Sequence, residues 1–348
     1  MESTTSLRVL CIADIHIANN CIKECLNLFD LIYEQVGRTN PDIIVTLGDL
    51  LHTFGTIHTV PLTHAIEFLK TLSIKRKVYT LIGNHERLNN TDFLTGYHPF
   101  VGISDEELHI IDKVNIVNTN GFKFIFCPYV YPGRFMEALD TKKDKIGDLK
   151  SVDAVFAHQE IYSTKMGAVV STIGDKWDVN NPYLILGHIH DRTQPQNNVN
   201  YIGTPRQTTF AEEPNKSISL FTFTKSPGHP GGKLEISEER IFLNVPKKMN
   251  IRISARDTLA WIPPENAVIK LIVEGTNAEI KSVVKLDYIK QLTKKGIKIV
   301  YNTLDEIKVG TTDKLKKDEV RLPFQQRFYN TVKDNPRQLA WYNYIFNK

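Results

Sequence analysis

The sequence predicts an α/β protein in which a parallel sheet packs against a second sheet and a small α/β domain follows. Three observations lead to this prediction. Strand and helix patterns alternate over residues 7–82, strand patterns crowd together over residues 122–244, and a separate βαβ pattern follows residue 246. A β-α-β-α-β order indicates parallel strands with right-handed crossovers, and a run of strands indicates a further sheet.

The first part of the chain alternates apolar strand patterns with helical ones. Gly37 and the Asn40-Pro41 pair predict the end of the first helix, because glycine and proline disfavour its continuation. Right-handed crossovers would leave the helices on the faces of the sheet. The predicted strands are residues 7–13, 42–47 and 77–82, and the predicted helices are residues 21–36 and 62–72.

After residue 97 helical spacing becomes rare and strands dominate, which predicts a second sheet packed against the first. Residues 225–233 contain two prolines and three glycines and are typical of an exposed hairpin turn. The predicted strands are residues 122–126, 152–157, 183–186, 200–202, 217–224 and 234–244.

Val245-Pro246 is the predicted domain boundary, so residues 1–245 form the first domain. Residues 246–305 are predicted to form a small basic βαβ domain, and residues 306–348 a linker with an aromatic-rich tail. The tail either packs on its own domain or docks onto a partner. The predicted elements of the small domain are strands at 267–274 and 297–301 and a helix at 277–293.

Composition indicates a soluble intracellular protein. The 348 residues are 41% hydrophobic and 24% charged, which is ordinary for a globular chain. No stretch approaches 18 uninterrupted apolar residues, so we expect no membrane span. The acid-containing N-terminus does not resemble a signal peptide. Four cysteines without a CxxC pair favour a reducing compartment over a disulfide framework.

Charge is unevenly distributed along the chain. Residues 246–348 carry 20 lysines and arginines against 11 acidic residues, whereas residues 1–245 carry 23 against 28. The basic part could attract a polyanion such as DNA, or it could be an ordinary solvated lysine-rich surface. The net negative charge of residues 1–245 fits a site that binds cations.

Polar residues follow five of the predicted strands at the point where each strand ends. The carboxyl ends of parallel strands meet in one crevice, so these side chains should converge. Carboxylate, amide oxygen and imidazole together suit Mn, Fe or Zn, and two ions sharing one carboxylate fit the number of ligands. Each motif alone is as compatible with a turn or a buried histidine; the ordered set indicates metal. The motifs are DIH (14–16), GDLLH (48–52), GNHE (83–86), His158 and GHIH (187–190).

These five motifs, in this order, resemble the calcineurin-like metallophosphoesterase superfamily over residues 7–223. The resemblance implies a two-sheet αββα sandwich with the small α/β domain as a C-terminal cap. His52 in GDLLHT, the segment 201–221 and the basic cap resemble the SbcD-type DNA-repair nucleases, which include the meiotic-recombination nucleases of eukaryotes. Glu86 is a departure, because that branch more often has aspartate. We expect little consequence, since this residue is not a direct metal ligand in the family pattern, and Glu86 could orient His85.

The resemblance implies a set of site residues. Asp49 would bridge two metal ions, His85 would approach the scissile phosphate and His52 would be a second auxiliary catalytic histidine. Arg206 and Gln207, which follow the last motif, and Tyr131, in the loop 129–134, are predicted substrate contacts, although such loops are often plain turns. The implied ligands are Asp14, His16, Asp49 and His190 for one metal, and Asp49, Asn84, His158 and His188 for the other.

The function implied by the resemblance is an Mn²⁺-dependent DNA exonuclease and endonuclease that hydrolyses phosphodiesters by a two-metal mechanism. It would act on double-stranded DNA ends, as a homodimer and with an SbcC-like coiled-coil ATPase. Two alternatives stay open. A small-molecule phosphodiesterase would share the metal site but would not need a basic cap. A DNA-end-binding scaffold would bind DNA through a catalytically inactive site.

Overall fold

The computed structural model describes residues 4–167, 169–226 and 233–304, together with Tyr329, Lys333, Leu339 and Tyr342. Contacts divide the chain into two units, Met1–Thr303 and Leu304–Lys348. In the second unit the rings of Tyr329 and Tyr342 meet at 5.4 Å between centroids. Most of the hairpin turn expected at 225–233 and most of the tail lie outside the described residues, so those two expectations stay predictions.

The first unit alternates strands and helices as far as β3 and is then mostly strand. Its helices are α1 (Ile22–Thr39), α2 (Thr59–Lys75), α3 (Phe135–Asp140), α4 (Lys143–Ile146), α5 (Asn277–Val284) and α6 (Asp287–Lys294). Its strands are β1 (Thr5–Ile12), β2 (Ile43–Thr46), β3 (Lys77–Leu81), β4 (Leu108–Ile111), β5 (Asn115–Thr119), β6 (Phe122–Cys127), β7 (Ala154–His158), β8 (Lys165–Met166), β9 (Val169–Val170), β10 (Tyr183–Gly187), β11 (Thr193–Gln196), β12 (Val199–Tyr201), β13 (Ser217–Ser226), β14 (Lys233–Phe242), β15 (Lys247–Ser254), β16 (Ala267–Gly275) and β17 (Lys298–Thr303).

Two six-stranded sheets build the main body. The first has the order β14-β13-β1-β2-β3-β4, in which β1 to β4 are parallel and β13 runs antiparallel to β1. The second has the order β11-β12-β10-β7-β6-β5, with a parallel centre of β12, β10, β7 and β6. The carboxyl ends of β1, β2 and β3 in one sheet, and of β7 and β10 in the other, carry the five motifs.

Three buried clusters show that the body has four layers. Helices α1 and α2 pack on the outer face of the first sheet, where the rings of Phe29 and Phe68 stack at 4.3 Å. Aromatic side chains such as Phe124 and Phe223 fill the space between the sheets. Helix α3 covers the outer face of the second sheet through Phe135. The expected αββα sandwich is therefore confirmed.

Helix α1 ends where the sequence indicates. Asn40 adopts the left-handed conformation (φ 46°) and its N–H donates to the carbonyl of Val36, which is a common helix terminus for asparagine. The helix itself continues through Gly37 to Thr39, beyond the expected end at residue 36. A single glycine lowers helix stability without ending a helix that buries one face.

The cap differs from the expected βαβ unit in two ways. It has a third strand, β15, so that β15, β16 and β17 form a parallel sheet. The expected helix 277–293 is two helices, because Leu286 is extended between them (φ −67°, ψ 134°). In one straight helix Ile289 and Leu292 would point about 120° and 180° away from Val283. The break allows all three to be buried in the same core.

Hydrogen bonds align the loops after β1 and β2. Asp14 donates its N–H to the carbonyl of Gly48, His16 donates to Asp49, and a parallel bridge joins Ile17 to Leu51. The motif loops thus extend the pairing of their strands beyond the sheet. Among the described residues, no helix combines the length and apolar character needed to cross a bilayer.

Candidate metal centre

All seven expected metal ligands meet at the carboxyl ends of the parallel strands. The loops after β1, β2 and β3 come from one sheet, and those after β7 and β10 come from the other. The structure therefore brings the predicted residues together, while their role as ligands stays a prediction. They are Asp14, His16, Asp49, Asn84, His158, His188 and His190.

One group of donors comes from the DIH and GHIH motifs. Asp14, His16 and His190 each offer one atom, and these atoms lie within 4.8 Å of one another. The Nε2 atoms of His16 and His190 are 3.0 Å apart. Asp14 also accepts the N–H of His188 at 2.9 and 3.0 Å, which joins the two motifs.

A second group combines Asp49, His158 and His188, whose donor atoms again lie within 4.8 Å of one another. The side-chain oxygen of Asn84 lies between the two imidazoles, 2.9 Å from Nε2 of His158 and 3.0 Å from Nδ1 of His188. Two imidazoles and one amide oxygen thus lie together with the carboxylate of Asp49 in this second group.

Asp49 lies between the two groups. Its Oδ2 atom is 3.7 Å from Nε2 of His16 in the first group and 3.4 Å from Nε2 of His158 in the second. Its other oxygen, Oδ1, accepts the N–H of His85 at 2.9 Å. This arrangement is the one expected for a carboxylate that serves two ions.

The pKa values of the centre move in opposite directions, because burial opposes the attraction between the acidic and imidazole side chains. Burial alone would raise the pKa of Asp49, but the neighbouring histidines, His158 foremost, hold it well below its usual value. Burial alone would lower the pKa of His158, but Asp49 and Asp14 raise it to about 9. Burial also lowers the pKa of His188 to about 3, so this imidazole is a neutral donor at pH 7.

Neighbouring acceptors fix the orientation of two imidazoles. Nδ1 of His158 lies 2.7 Å from the carbonyl of Leu47, so Nε2 faces the centre. Nδ1 of His190 lies 3.1 Å from Oε1 of Glu212, which leaves its Nε2 directed at His16. Such acceptors hold metal-binding histidines in one tautomer and raise their basicity. Sequence reasoning missed Glu212, which belongs to no motif.

The backbone of the centre is strained. Four of the seven expected ligands have positive φ, a region that residues other than glycine seldom occupy. Such conformations persist only where the surrounding structure imposes them, and they cluster at functional sites. The four are Asp14 (51°), His16 (52°), Asp49 (50°) and His188 (86°).

Two glycines are required by space and conformation. A side chain at Gly83 would overlap the carboxylate and the N–H of Asp49. Gly48 has a φ of +95°, and a side chain there would lie 2.5 Å from Nδ1 of His158. These two glycines thus allow the GDLLH and GNHE loops and His158 to approach each other closely.

Glu86 serves the loops and not the histidine that it was expected to orient. Its buried carboxylate accepts three N–H groups, from Asp49 at 3.1 Å, Leu51 at 2.8 Å and Gly83 at 2.9 Å. Burial, with the charge of Asp49, raises the pKa of Glu86 to about 8. Glu86 therefore fastens the GNHE loop to the GDLLH loop.

His85 and His52 lie beside the first group. Nδ1 of His85 donates to the carbonyl of His52 at 2.5 Å, and its Nε2 is 3.8 Å from Oδ2 of Asp49. His52 approaches His16, with 3.4 Å between their Nδ1 atoms. His85 is consequently held with one nitrogen directed at the centre, and its contact with a phosphate stays a prediction.

Arg206 and Gln207, two expected substrate contacts, are bound within the protein. Arg206 is 2% exposed and donates to the carbonyl of His16 at 2.9 Å and to Glu24 at 3.2 Å. Gln207 accepts the N–H of Lys248 at 2.6 Å and donates to its carbonyl at 3.1 Å, which ties the cap to the main body. Both side chains organise the site, and a direct contact with substrate stays a prediction.

Tyr131, the third expected contact, is 42% exposed. Tyr129, two residues earlier, is the tyrosine that packs against the centre, with its ring 6.0 Å from that of His158 and 5.9 Å from that of His188. A pattern of loop residues could not distinguish the two positions. Whether Tyr131 touches substrate stays a prediction.

The donor set fits divalent cations. Two carboxylates, one amide oxygen and four imidazoles suit ions of intermediate softness such as Mn²⁺, Fe²⁺ or Zn²⁺. Asp14, His16, Asp49 and His190 would hold one ion, and Asp49, Asn84, His158 and His188 would hold the other.

Comparison with known proteins agrees with this geometry. The family model for calcineurin-like phosphoesterases matches residues 7–192. "Putative phosphoesterase 244L" of Invertebrate iridescent virus 6 is 36% identical over 80% of this chain and 97% of its own. "Putative phosphoesterase 078R" of Invertebrate iridescent virus 3 is 31% identical over 90% of each chain.

A solved structure similar in part is that of Yfce, a phosphoesterase from E. coli, at 12% identity, covering 68% of this chain and 100% of that one with a TM-score of 0.30. A similarity this low carries no argument. The family match at residues 7–192 includes all five motifs. The chain therefore belongs to the calcineurin-like phosphoesterase family, whose members hydrolyse phosphoesters with divalent metal ions.

Proposed function

We propose that this protein is an Mn²⁺-dependent DNA nuclease. The observation that carries the proposal is the position of Asp49 between two groups of donors, with His85 beside it. When bound, two divalent cations activate water and neutralise charge on the phosphate oxygens. The residues of the chain then have to orient the phosphodiester and assist the leaving oxygen.

His85 is the residue that we assign to the leaving group. Its Nδ1 is committed to the carbonyl of His52, so only Nε2 is available to the substrate. A protonated Nε2 would stabilise charge on the phosphate or donate its proton to the departing oxygen. The side chain of His85 is 17% exposed and therefore accessible from the solvent side of the centre.

The cap supports a polyanionic substrate. Its described residues, 246–304, include 11 lysines and arginines against 5 acidic residues. The cap meets the centre at a cavity of about 330 Å³, to which Lys248 of the cap and His16 and His52 of the centre all contribute. A small-molecule phosphodiesterase would need the same metal ligands but would gain little from this charge, whereas nucleic-acid affinity depends on it.

The proposal includes the partners that the resemblance implies, a second copy of the chain and an SbcC-type ATPase. Light scattering of the purified chain and co-purification with a candidate ATPase test these two points separately from catalysis.

The deciding experiment compares end-labelled DNA with a chromogenic phosphodiester, each with Mn²⁺. We expect DNA cleavage that is lost on chelation and that weakens steeply as salt rises, because phosphate contacts release counterions. Hydrolysis of the chromogenic ester without DNA cleavage would favour the small-molecule alternative. Tight DNA binding with no hydrolysis of either substrate would indicate a scaffold.

A further inference from the structure

An apolar recess of about 380 Å³ opens beside His85. It is formed by the loops after β2 and β3 together with residues 96–101, and none of the expected metal ligands lines it. The volume lies within the range of pockets that bind small organic groups. Its apolar lining comes from Leu51, Ile57, Leu88, Tyr97, Pro99 and Val101.

Several of these apolar side chains face solvent. Leu88 is 61% exposed, Tyr97 77% and Val101 65%. Single exposed apolar residues are ordinary, but a group of them around a concave surface indicates that a ligand covers it. Because the recess borders a centre suited to phosphodiesters, the ligand is expected to be an apolar part of the same substrate.

A buried cation lies against this apolar lining. Arg87 lines the recess, is 2% exposed, and donates from Nη1 to the carbonyl of Tyr129 at 2.7 Å. Within the described part of the chain its Nε and Nη2 atoms have no acceptor. The guanidinium also lies 5.5 Å from the ring centroid of Tyr129, so Arg87 is bound within the protein and the recess offers a ligand mainly its apolar lining.

His85 connects the recess to the centre. It lines the recess, its Nε2 is 3.8 Å from Asp49, and the ring of Phe54 lies 4.0 Å from its own ring. A phosphodiester whose leaving oxygen meets His85 would bring the adjoining nucleotide next to Phe54 and the recess. Aromatic surfaces at such positions hold bases by stacking.

We propose that the recess binds one unpaired nucleobase next to the scissile phosphate, an inference that rests on the proposed nuclease function. The bases of an intact duplex are stacked and paired, so a base has to leave its partner before it can enter. The enzyme therefore cleaves single strands, or duplex ends that have opened, in preference to closed duplex.

The test uses single-stranded oligonucleotides in which one phosphodiester is cleavable and the other linkages are phosphorothioates. An abasic residue replaces the nucleotide on one side of that bond or on the other. In the wild-type chain we expect kcat/KM to fall about tenfold or more for one of the two positions, in line with the energy of base stacking.

The recess variant Ile57→Ala/Leu88→Ala shortens two partly exposed side chains. We expect it to hydrolyse the normal and abasic oligonucleotides within about twofold of each other. The matched control Ile74→Ala/Val179→Ala shortens two exposed side chains elsewhere, 86% and 68% exposed, and should retain the wild-type difference. Melting temperatures and Mn²⁺ binding of both variants show that fold and centre are intact.

Four results would overturn the inference. Equal hydrolysis of all oligonucleotides by the wild-type chain would show that no base is bound, and the proposed function would survive. An unchanged abasic penalty in the recess variant would place the base elsewhere. A fall in molar mass of that variant in light scattering would assign the recess to a second copy of the chain. If the wild-type chain hydrolyses a chromogenic phosphodiester but no DNA, the proposed function fails and this inference fails with it.

Discussion

The two donor groups of the centre share Asp49 but are supported in different ways. His158 is fully buried, and a backbone carbonyl, that of Leu47, fixes its ring. The side chain of His190 is 32% exposed, and the carboxylate of Glu212 fixes its ring. One half of the centre is therefore held by the end of a core strand, and the other by a side chain on a surface loop.

This difference predicts unequal affinities for the two cations. A backbone carbonyl at the end of β2 cannot move without disturbing the sheet, so the half at His158 is preorganised. The half at His190 depends on Glu212, whose backbone carbonyl accepts from Gln207, and Gln207 also binds Lys248 of the cap. We expect the ion at His158 to bind more tightly and the ion at His190 to exchange faster and to respond to changes in the cap.

The largest effect is expected from Asp49→Ala, which removes the ligand that both halves share. Binding of both cations should be lost and hydrolysis should fall below detection, because the substitution removes one expected ligand from each half. Mn²⁺ titration by calorimetry, with circular dichroism to check folding, measures this. Retention of one full equivalent of Mn²⁺ would show that the halves are independent.

The next largest effect is expected from His85→Ala, which removes none of the seven expected metal ligands. Turnover should fall by about 10²–10⁴, the usual contribution of a general acid. The amount and affinity of bound Mn²⁺ should stay as in the wild-type chain. Loss of metal from this variant would mean that His85 acts as a ligand and not on the phosphate.

Glu212→Gln should affect only the half at His190. The loss of a charged acceptor behind a metal-binding histidine typically lowers metal affinity by about 10–100-fold. Calorimetry should therefore show one weakened and one unchanged binding step. Glu213→Gln, a neighbouring change on the exposed side of the same loop, is the matched control. An equal loss in both steps would contradict the proposed difference between the halves.

The smallest effect is expected from Gln207→Ala, which removes the two side-chain hydrogen bonds of Gln207 to Lys248 of the cap. We expect a loss of about 1–3 kcal/mol in the free energy of unfolding, because the partly buried backbone groups of Lys248 lose these partners. The affinity for the second cation should fall only a few-fold. Urea unfolding and calorimetry measure the two quantities. An unchanged affinity for the second cation would show that the cap does not influence metal binding at the centre.

The sequence predicted the parts of the centre that depend on strand order. Asp14, Asp49 and Asn84 were expected to meet because each follows a parallel strand, and the carboxyl ends of such strands share an edge. The same argument from strand ends included His158 and His188, although these residues come from strands of the second sheet.

The parts that could not be predicted depend on side-chain contacts between distant segments. Glu212 lies in a loop without a motif, and its role depends on how that loop folds back on His190. Arg206 follows the last motif in the sequence, but its side chain is buried against Glu24 in the first turn of helix α1. The break at Leu286 depends on the tertiary core of the cap, which local helical spacing does not reveal.

The positive φ angles of Asp14, His16, Asp49 and His188 have a consequence for how the protein can change. Each such residue costs on the order of 1–3 kcal/mol of folding free energy, and this backbone strain is retained because the site needs these conformations. Replacement of Asp14 by glycine would relieve part of the strain but would remove an expected metal ligand. Selection for thermal stability alone should therefore enrich glycine at these positions and yield proteins that are more stable but catalytically inactive.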